Sequence, residues 1–231
     1  MIDSNKLFVS GDKVFYSIQG EGQSIGRPAV FLRLGYCNLK CKWCDTKYSW
    51  SKEVPGFEEI EEWSINKTLK EIKKFPTNRL VITGGEPLLQ IKGVSKLIDL
   101  LPDWTIEFET NGTVMPTKKL LRRCQFNISP KLENSGNPVE IRLKPDVLKE
   151  LNNASNSTFK FVIKNRLEIE EVSKMVKKYK IDGSKVIIMP EGIDQQDMIK
   201  NTKRLAEEAK KTNWRIVPRL HIILWGNKRK V

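Results

Sequence analysis

The run Ala29-Val30-Phe31-Leu32-Arg33-Leu34 passes without interruption into Gly35-Tyr36-Cys37-Asn38-Leu39-Lys40-Cys41-Lys42-Trp43-Cys44-Asp45-Thr46. Apart from one charge, the first part is apolar and reads as a buried strand. The second part carries cysteines in the spacing C-x3-C-x2-C. A strand that delivers a set of thiols from its C-terminal end belongs to an α/β sheet, where chemistry gathers beyond the strand ends.

Outward from this stretch the same grammar repeats. Leu80-Val81-Ile82-Thr83 is stopped by Gly84-Gly85, and Thr105-Ile106-Glu107-Phe108-Glu109-Thr110 alternates before Asn111-Gly112. Phe126-Asn127-Ile128 ends at Ser129-Pro130. Phe159-Lys160-Phe161-Val162-Ile163 and Val186-Ile187-Ile188-Met189 follow, the latter ended by Pro190. Helical stripes lie between them: Ile65, Leu69 and Ile72; Val94, Leu97, Ile98 and Leu101; Ile169, Val172, Met175, Val176 and Tyr179; and the stretch Asp194 to Thr212. Strand–helix alternation predicts parallel strands joined by crossovers. A closed eightfold barrel takes about 250 residues. This chain has 231 and shows six strands, so the expectation is an α/β fold of the partial, open (βα)6 TIM type. No repeat, low-complexity block or linker divides it, which predicts one domain over 1–231.

Composition narrows the class. Hydrophobic residues make up 39% and charged residues 30%, as in a soluble globular chain. No apolar run reaches the roughly 18 residues of a spanning helix, and Met1-Ile2-Asp3-Ser4-Asn5-Lys6 lacks a signal-peptide pattern. Four cysteines are too few for a disulfide scaffold, and their clustering predicts a reducing cytoplasm and a metal site. The 41 basic against 28 acidic residues give +13, but the basic residues are dispersed, as in Lys73-Lys74, Lys177-Lys178 and Lys210-Lys211. Only Lys228-Arg229-Lys230 is compact, and it has no interleaved aromatic. The charge reads as a solvated surface, and direct nucleic-acid contact is not expected.

Thiolates suit zinc or iron–sulfur clusters. A closed zinc site needs a fourth ligand. His221 is the only histidine and is remote in sequence. Cys124 stands alone beside the helical Leu120-Leu121-Arg122-Arg123 and reads as a small buried apolar residue. Three thiolates on a four-iron cubane would leave one iron open to an exogenous ligand. Structural zinc and two-cysteine redox chemistry remain alternatives at this point.

With an aromatic before its last cysteine, C-x3-C-x2-C resembles the motif of the radical S-adenosylmethionine (SAM) superfamily. Thr83-Gly84-Gly85-Glu86-Pro87, one strand later, resembles that superfamily's Gly-Gly-Glu-Pro segment. Phe15-Tyr16-Ser17-Ile18-Gln19-Gly20-Glu21-Gly22, Trp43-Cys44-Asp45-Thr46, Glu109-Thr110-Asn111-Gly112-Thr113 and Ser129-Pro130-Lys131 narrow the resemblance to the 7-carboxy-7-deazaguanine synthase family. The match is densest from Phe15 to Lys131.

The resemblance implies a radical SAM core, a 4Fe-4S cluster, SAM used catalytically, and Mg2+. It implies conversion of 6-carboxy-5,6,7,8-tetrahydropterin to 7-carboxy-7-deazaguanine with ring contraction and loss of ammonia, feeding 7-deazapurines such as queuosine. Cys37, Cys41 and Cys44 would ligate the cluster. Trp43, Cys44, Asp45, Gly85, Glu86, Ser129, Pro130 and Lys131 would contact SAM, with Glu86 bonded to an ammonium group. Ile18, Gln19 and Gly20 would read the pterin edge, Arg33 would hold the substrate carboxylate, Thr83 would touch the substrate, and Thr46 would ligate magnesium. Glu109 and His221 are further candidates, and no conventional acid–base triad is expected. Segment 14–28 would bind substrate and loop 35–50 would carry the cluster. An electron donor such as flavodoxin and a homodimer complete the implied partners; none is a membrane.

Elementary chemistry agrees with these roles. A guanidinium fork matches a carboxylate, an amide can donate and accept at a pterin edge, and magnesium accepts a hydroxyl among its waters. Arg33 flanked by apolar neighbours needs a partner, either a ligand carboxylate or a structural ion pair. Two departures stand out. Met189-Pro190-Glu191-Gly192 replaces a Gln-Pro found in some relatives, and 222–231 extends past where some relatives end. One alternative is an activating enzyme that makes a glycyl radical on a protein partner, against which Ile18 to Gly22 and Arg33 argue. A second is a nucleic-acid-binding protein with a structural metal.

Overall fold

The computed structural model describes residues 4–229. Met1, Ile2 and Asp3 of the N-terminal reading, and Lys230 of the basic tail with Val231, lie outside the described residues. Nine strands form one sheet in the order β3-β1-β2-β4-β5-β6-β7-β8-β9. The six strands expected from sequence are β2 (Pro28–Leu34), β4 (Arg79–Gly84), β5 (Thr105–Thr110), β6 (Gln125–Ile128), β7 (Ser157–Ile163) and β8 (Val186–Pro190). They are parallel neighbours in chain order. Three more were not foreseen: β1 (Lys6–Ile18) and β3 (Glu61–Ser64), both antiparallel additions, and β9 (Arg215–Ile216), which continues the parallel run. The first and last strands do not pair with each other, so the barrel is partial and open.

Strand β1 explains the N-terminal segment. Its partner register on β2 jumps between Val9↔Leu34 and Val14↔Leu32, and Lys13 adopts φ 54°. This bulge re-aims the Ser10–Lys13 stretch, as bulges do. Segment 14–28 is therefore a hairpin: β1 ends at Ile18, and Gln19 N and O bond to Arg27 O and Gly26 N, both at 2.8 Å.

The connecting helices are α1 (Ile65–Ile72), α2 (Ile91–Asp99), α3 (Lys118–Arg123), α4 (Val139–Arg142), α5 (Pro145–Asn153), α6 (Arg166–Tyr179) and α7 (Gln195–Thr212), with α8 (Leu220–Trp225) after β9. Side chains of Ser64, Thr117, Asn165 and Asp194 accept the first free N–H groups of α1, α3, α6 and α7. The predicted apolar stripes face the sheet: Ile72, Leu97, Val172 and Leu205, with Leu120 of α3 and Leu148 of the unpredicted α5, join one core with Leu32, Ile82, Phe108, Phe126, Phe161 and Ile188. Phe108 and Phe126 stack across neighbouring strands at 5.2 Å. Each such fully buried side chain contributes about 1.5–3 kcal/mol. All of these strand residues share one face, so period two assigns the residues between them to the other face.

Candidate active site

That inner face is polar. Parallel strands covered on both sides are normally apolar throughout. Here Arg33, Thr83, Glu107, Glu109, Asn127, Thr158 and Lys160 alternate with the core residues, and Glu107 and Asn127 are wholly buried. Such groups stay buried only when bonded. Gln19, at the end of β1, donates to Glu107 Oε1 at 2.6 Å and to Glu109 Oε1 at 3.2 Å. Thr83 Oγ1 donates to Glu109 Oε2 at 2.9 Å, and Thr158 Oγ1 to Asn127 Oδ1 at 2.9 Å. Burial, with the nearby Glu109 charge, pushes the Glu107 carboxyl up to about 6. Gln19, Thr83 and Glu109, all singled out from sequence, thus meet in one cluster.

A second cluster is made of charges. Glu21 pairs with Lys160 and, through Oε1, with Arg219 Nε at 3.0 Å, while His221 Nε2 stands 4.0 Å away. Burial opposes the Glu21 charge, but Lys160 and Arg219 outweigh it and hold the carboxyl well below its usual range. Lys160 is likewise raised: Glu21 and Glu109 overcome its burial. Burial leaves the His221 pKa lowered. Gly20 is required here, because a Cβ would sit 2.0 Å from His221 Nδ1.

The cysteine loop follows the C-terminal end of β2, and Arg219 ties its Asp45 to Glu21. Each of the three thiols receives an N–H group: Cys37 from Leu39 N at 3.4 Å, Cys41 from Asn137 Nδ2 at 3.4 Å, and Cys44 from Trp50 Nε1 at 3.3 Å. Burial raises Cys37 to about 12 and also raises Cys41, so both are neutral thiols until a metal charge is present. Cys124 is buried beside Leu120 and Phe126 within the main core, away from this loop, as expected.

Among the described residues no group of His, Cys, Asp or Glu converges on a single ion. An iron–sulfur cluster asks for something different, since its thiolates bond to separate irons. Three soft donors on one loop, each sulfur supported by an N–H group, fit that group.

The segment after β4 clamps the loop from beneath. Gly85 N donates to Leu34 O at 3.0 Å and Glu86 N to Tyr36 O at 2.8 Å. A Cβ on Gly85 would lie 1.9 Å from Tyr36 O, so only glycine allows the contact.

The Glu86 side chain is fully buried, and Oε1 accepts Leu88 N and Thr110 Oγ1 at 3.0 and 2.8 Å while Oε2 accepts Asn111 N at 2.7 Å. The carboxyl thereby braces β5 against the Gly-Gly turn.

Other expected residues surround the loop. Lys131 lies 5.5 Å over the Trp43 ring and donates to Ser129 Oγ at 2.9 Å, and its charge reaches Cys37 and Cys41. Trp43 Nε1 donates to Asn134 Oδ1 at 3.0 Å. Thr46 Oγ1 stands 3.6 Å from Cys44 Sγ, and Asp45 Oδ2 accepts Arg219 Nη2 at 2.6 Å. Arg33 has a structural ion-pair partner: Asp12 Oδ2 is 3.1 Å from Nε. Yet that N–H does not point at the carboxylate, and Nε has no hydrogen-bond partner.

Sequence reasoning missed Asp12, Glu21, Asn127, Lys160 and Arg219. Lys160 had a visible signal, a charge between Phe159 and Phe161 in an apolar strand, the same argument that singled out Arg33.

A family model described as the radical SAM superfamily matches residues 33–161. The chain is 37% identical to the 7-carboxy-7-deazaguanine synthase of Pyrobaculum aerophilum, over 94% of this chain and 95% of that one. It is 35% identical to the synthase of Hyperthermus butylicus, over 92% and 91% of the two chains. The crystal structure of QueE from Escherichia coli superposes with a TM-score of 0.72 over 94% and 95% of the two chains at 24% identity, a likeness of fold.

Proposed function

The chain belongs to the 7-carboxy-7-deazaguanine synthase family of the radical SAM superfamily, and on that premise we propose how its own residues serve the reaction. The enzyme converts 6-carboxy-5,6,7,8-tetrahydropterin to 7-carboxy-7-deazaguanine with loss of ammonia, a step of 7-deazapurine and queuosine biosynthesis. The glycyl-radical alternative gains no support from these relatives.

The bound 4Fe-4S cluster and SAM supply one-electron reduction and hydrogen-atom abstraction. In our reading Cys37, Cys41 and Cys44 hold the cluster. Main chain at Gly85 and Glu86, with Trp43, Asp45 and Ser129-Pro130-Lys131, holds SAM, and Thr46 offers a hydroxyl to magnesium. Gln19, anchored by Glu107 and Glu109, presents the hairpin edge of Ile18 and Gly20 to the pterin. Thr83 and Glu109 floor the pocket, His221 closes it beside Gly20, and Arg33 takes the substrate carboxylate. These groups orient and enclose; proximity and exclusion of water are their contribution.

Exposed Lys40 and Lys42 flanking Cys41 suit an acidic electron carrier such as flavodoxin. Four free thiols suit the cytoplasm, and among the described residues no helix is long and apolar enough to cross a membrane. We read 1–231 as one domain and the assembly as a homodimer, which light scattering would test.

The observation that carries the reading is the N–H group given to each of the three loop sulfurs, together with the buried polar face. Anaerobic iron and sulfide analysis, followed by turnover of carboxy-tetrahydropterin with SAM and a reductant, tests it. Four irons with deazaguanine formation are expected. A zinc-loaded, inactive protein would overturn it.

A further inference from the structure

We infer that Arg229, beyond the last helix, is a positioning residue for Arg33: it occupies Asp12 and so leaves the Arg33 guanidinium free for the substrate carboxylate. The inference rests on the proposed role of Arg33.

Asp12 lies in the β1 bulge and is 3% exposed. Its Oδ1 accepts Arg229 Nε at 2.8 Å and Nη2 at 2.5 Å, while Oδ2 accepts the Tyr48 hydroxyl at 2.7 Å. The Arg229 guanidinium also lies 4.1 Å over the Tyr48 ring. Both N–H groups converge on the one oxygen, and both bonds are charge-assisted. Burial opposes the Asp12 charge, but Arg229, Tyr48 and Arg33 together lower its pKa. Tyr48 is raised to about 12 by burial, and so donates as a neutral phenol.

Three of the roughly four acceptor positions of Asp12 are therefore filled without Arg33. Arg33 Nε is 3.1 Å from Oδ2 but makes no hydrogen bond to it. Arg229 and Arg33 share the one Asp12 carboxylate, and the Glu59 charge also acts on Arg229. An incoming carboxylate therefore meets an Arg33 that holds only part of Asp12. Without Arg229, Asp12 would turn wholly to Arg33. The Arg229 side chain is itself 50% exposed, so its contact is a latch laid over the site, not a core element. This gives Arg229, in the stretch beyond α8, a role in substrate selection.

The test uses reconstituted holoenzyme. It measures KM for carboxy-tetrahydropterin and the affinity ratio of 6-carboxypterin to pterin, which lacks the carboxylate. Arg229→Gln is expected to raise KM roughly tenfold, the scale of one charge-assisted hydrogen bond, with kcat within about twofold. The affinity ratio should shrink by a similar factor. Adding Asp12→Asn should restore most of both, which a merely structural role would not do. A parental KM and ratio in Arg229→Gln would overturn the inference, as would a double variant no better than the single one. If Arg33→Gln keeps the parental ratio, the reading of Arg33 fails and carries the inference with it. If Arg33→Gln loses the ratio and Arg229→Gln does not, only the inference fails. Should Arg229→Gln not accumulate, Arg229→Lys decides: it loses the paired N–H groups, so an intermediate ratio supports the inference and a parental one overturns it.

Discussion

Arg219 donates through Nη2 to Asp45 Oδ2 at 2.6 Å, joining the stretch after β9 to the residue directly behind the last cluster-loop cysteine. Its Nε meanwhile bonds Glu21 of the hairpin. One guanidinium thus ties three segments that are far apart in sequence, and its side chain is only 18% exposed.

Replacing Arg219 with Met should cost about 2 kcal/mol, less than the loss of a lone buried pair, because Glu21 keeps Lys160. Denaturant unfolding measures this. The same variant should form more 5′-deoxyadenosine per deazaguanine produced, since the hairpin and the cluster loop lose their common tie. An unchanged ratio would separate the tie from catalysis.

Cys41→Ala should abolish cluster assembly and turnover. Cys124→Ala should keep the parental iron content and lose about 1 kcal/mol for a small core void. Iron and sulfide counts on the two proteins distinguish ligand from filler. Iron lost from the Cys124 variant would reassign that thiol.

Asn137 donates to Cys41 Sγ from a loop outside the motif. Hydrogen bonds to cluster sulfur favour the reduced state. Asn137→Ala should shift the cluster to a more negative potential with iron content retained, as read by a spin-resonance redox titration. A potential equal to the parent's would remove the contact from electron transfer.

Glu107 sets a pH signature. Its folded pKa of about 6 lies above the unfolded 4.5, so the unfolded chain loses its proton first as pH rises. Stability from this group falls between those values and stays lost above them, by about 2 kcal/mol. Urea unfolding across this window should show the decline in the parent and a flatter profile in Glu107→Gln. Equal slopes would mean the carboxyl is ionised throughout.

The parallel strands were legible because their outer residues alternate with polar ones, as in Thr105 to Thr110. Strand β1 was not, because Ser10-Gly11-Asp12-Lys13 looks like a turn and is a bulge inside one strand. Strands β3 and β9 carry Glu61-Glu62 and Arg215, and owe their strand character to pairing, not composition. The thiol motif was legible at a glance, since its spacing is local. The charge web was hidden because Glu21 and Arg219 meet only through the fold. The bracing by Glu86 was not legible either, because its partners Leu88, Thr110 and Asn111 come together only where β4 and β5 end side by side.

An unclosed sheet has two rims, each a row of unpaired backbone groups on which another chain could zip. Here the outermost strands are β3, four residues with Glu61 and Glu62 among them, and β9, two residues beginning with Arg215. β3 covers only Lys6–Val9 of β1, and β9 covers only Ile187 and Ile188 of β8. Brevity and charge make β3 and β9 themselves poor templates for intermolecular pairing, and the kink between Val9 and Val14 breaks the regular edge of β1.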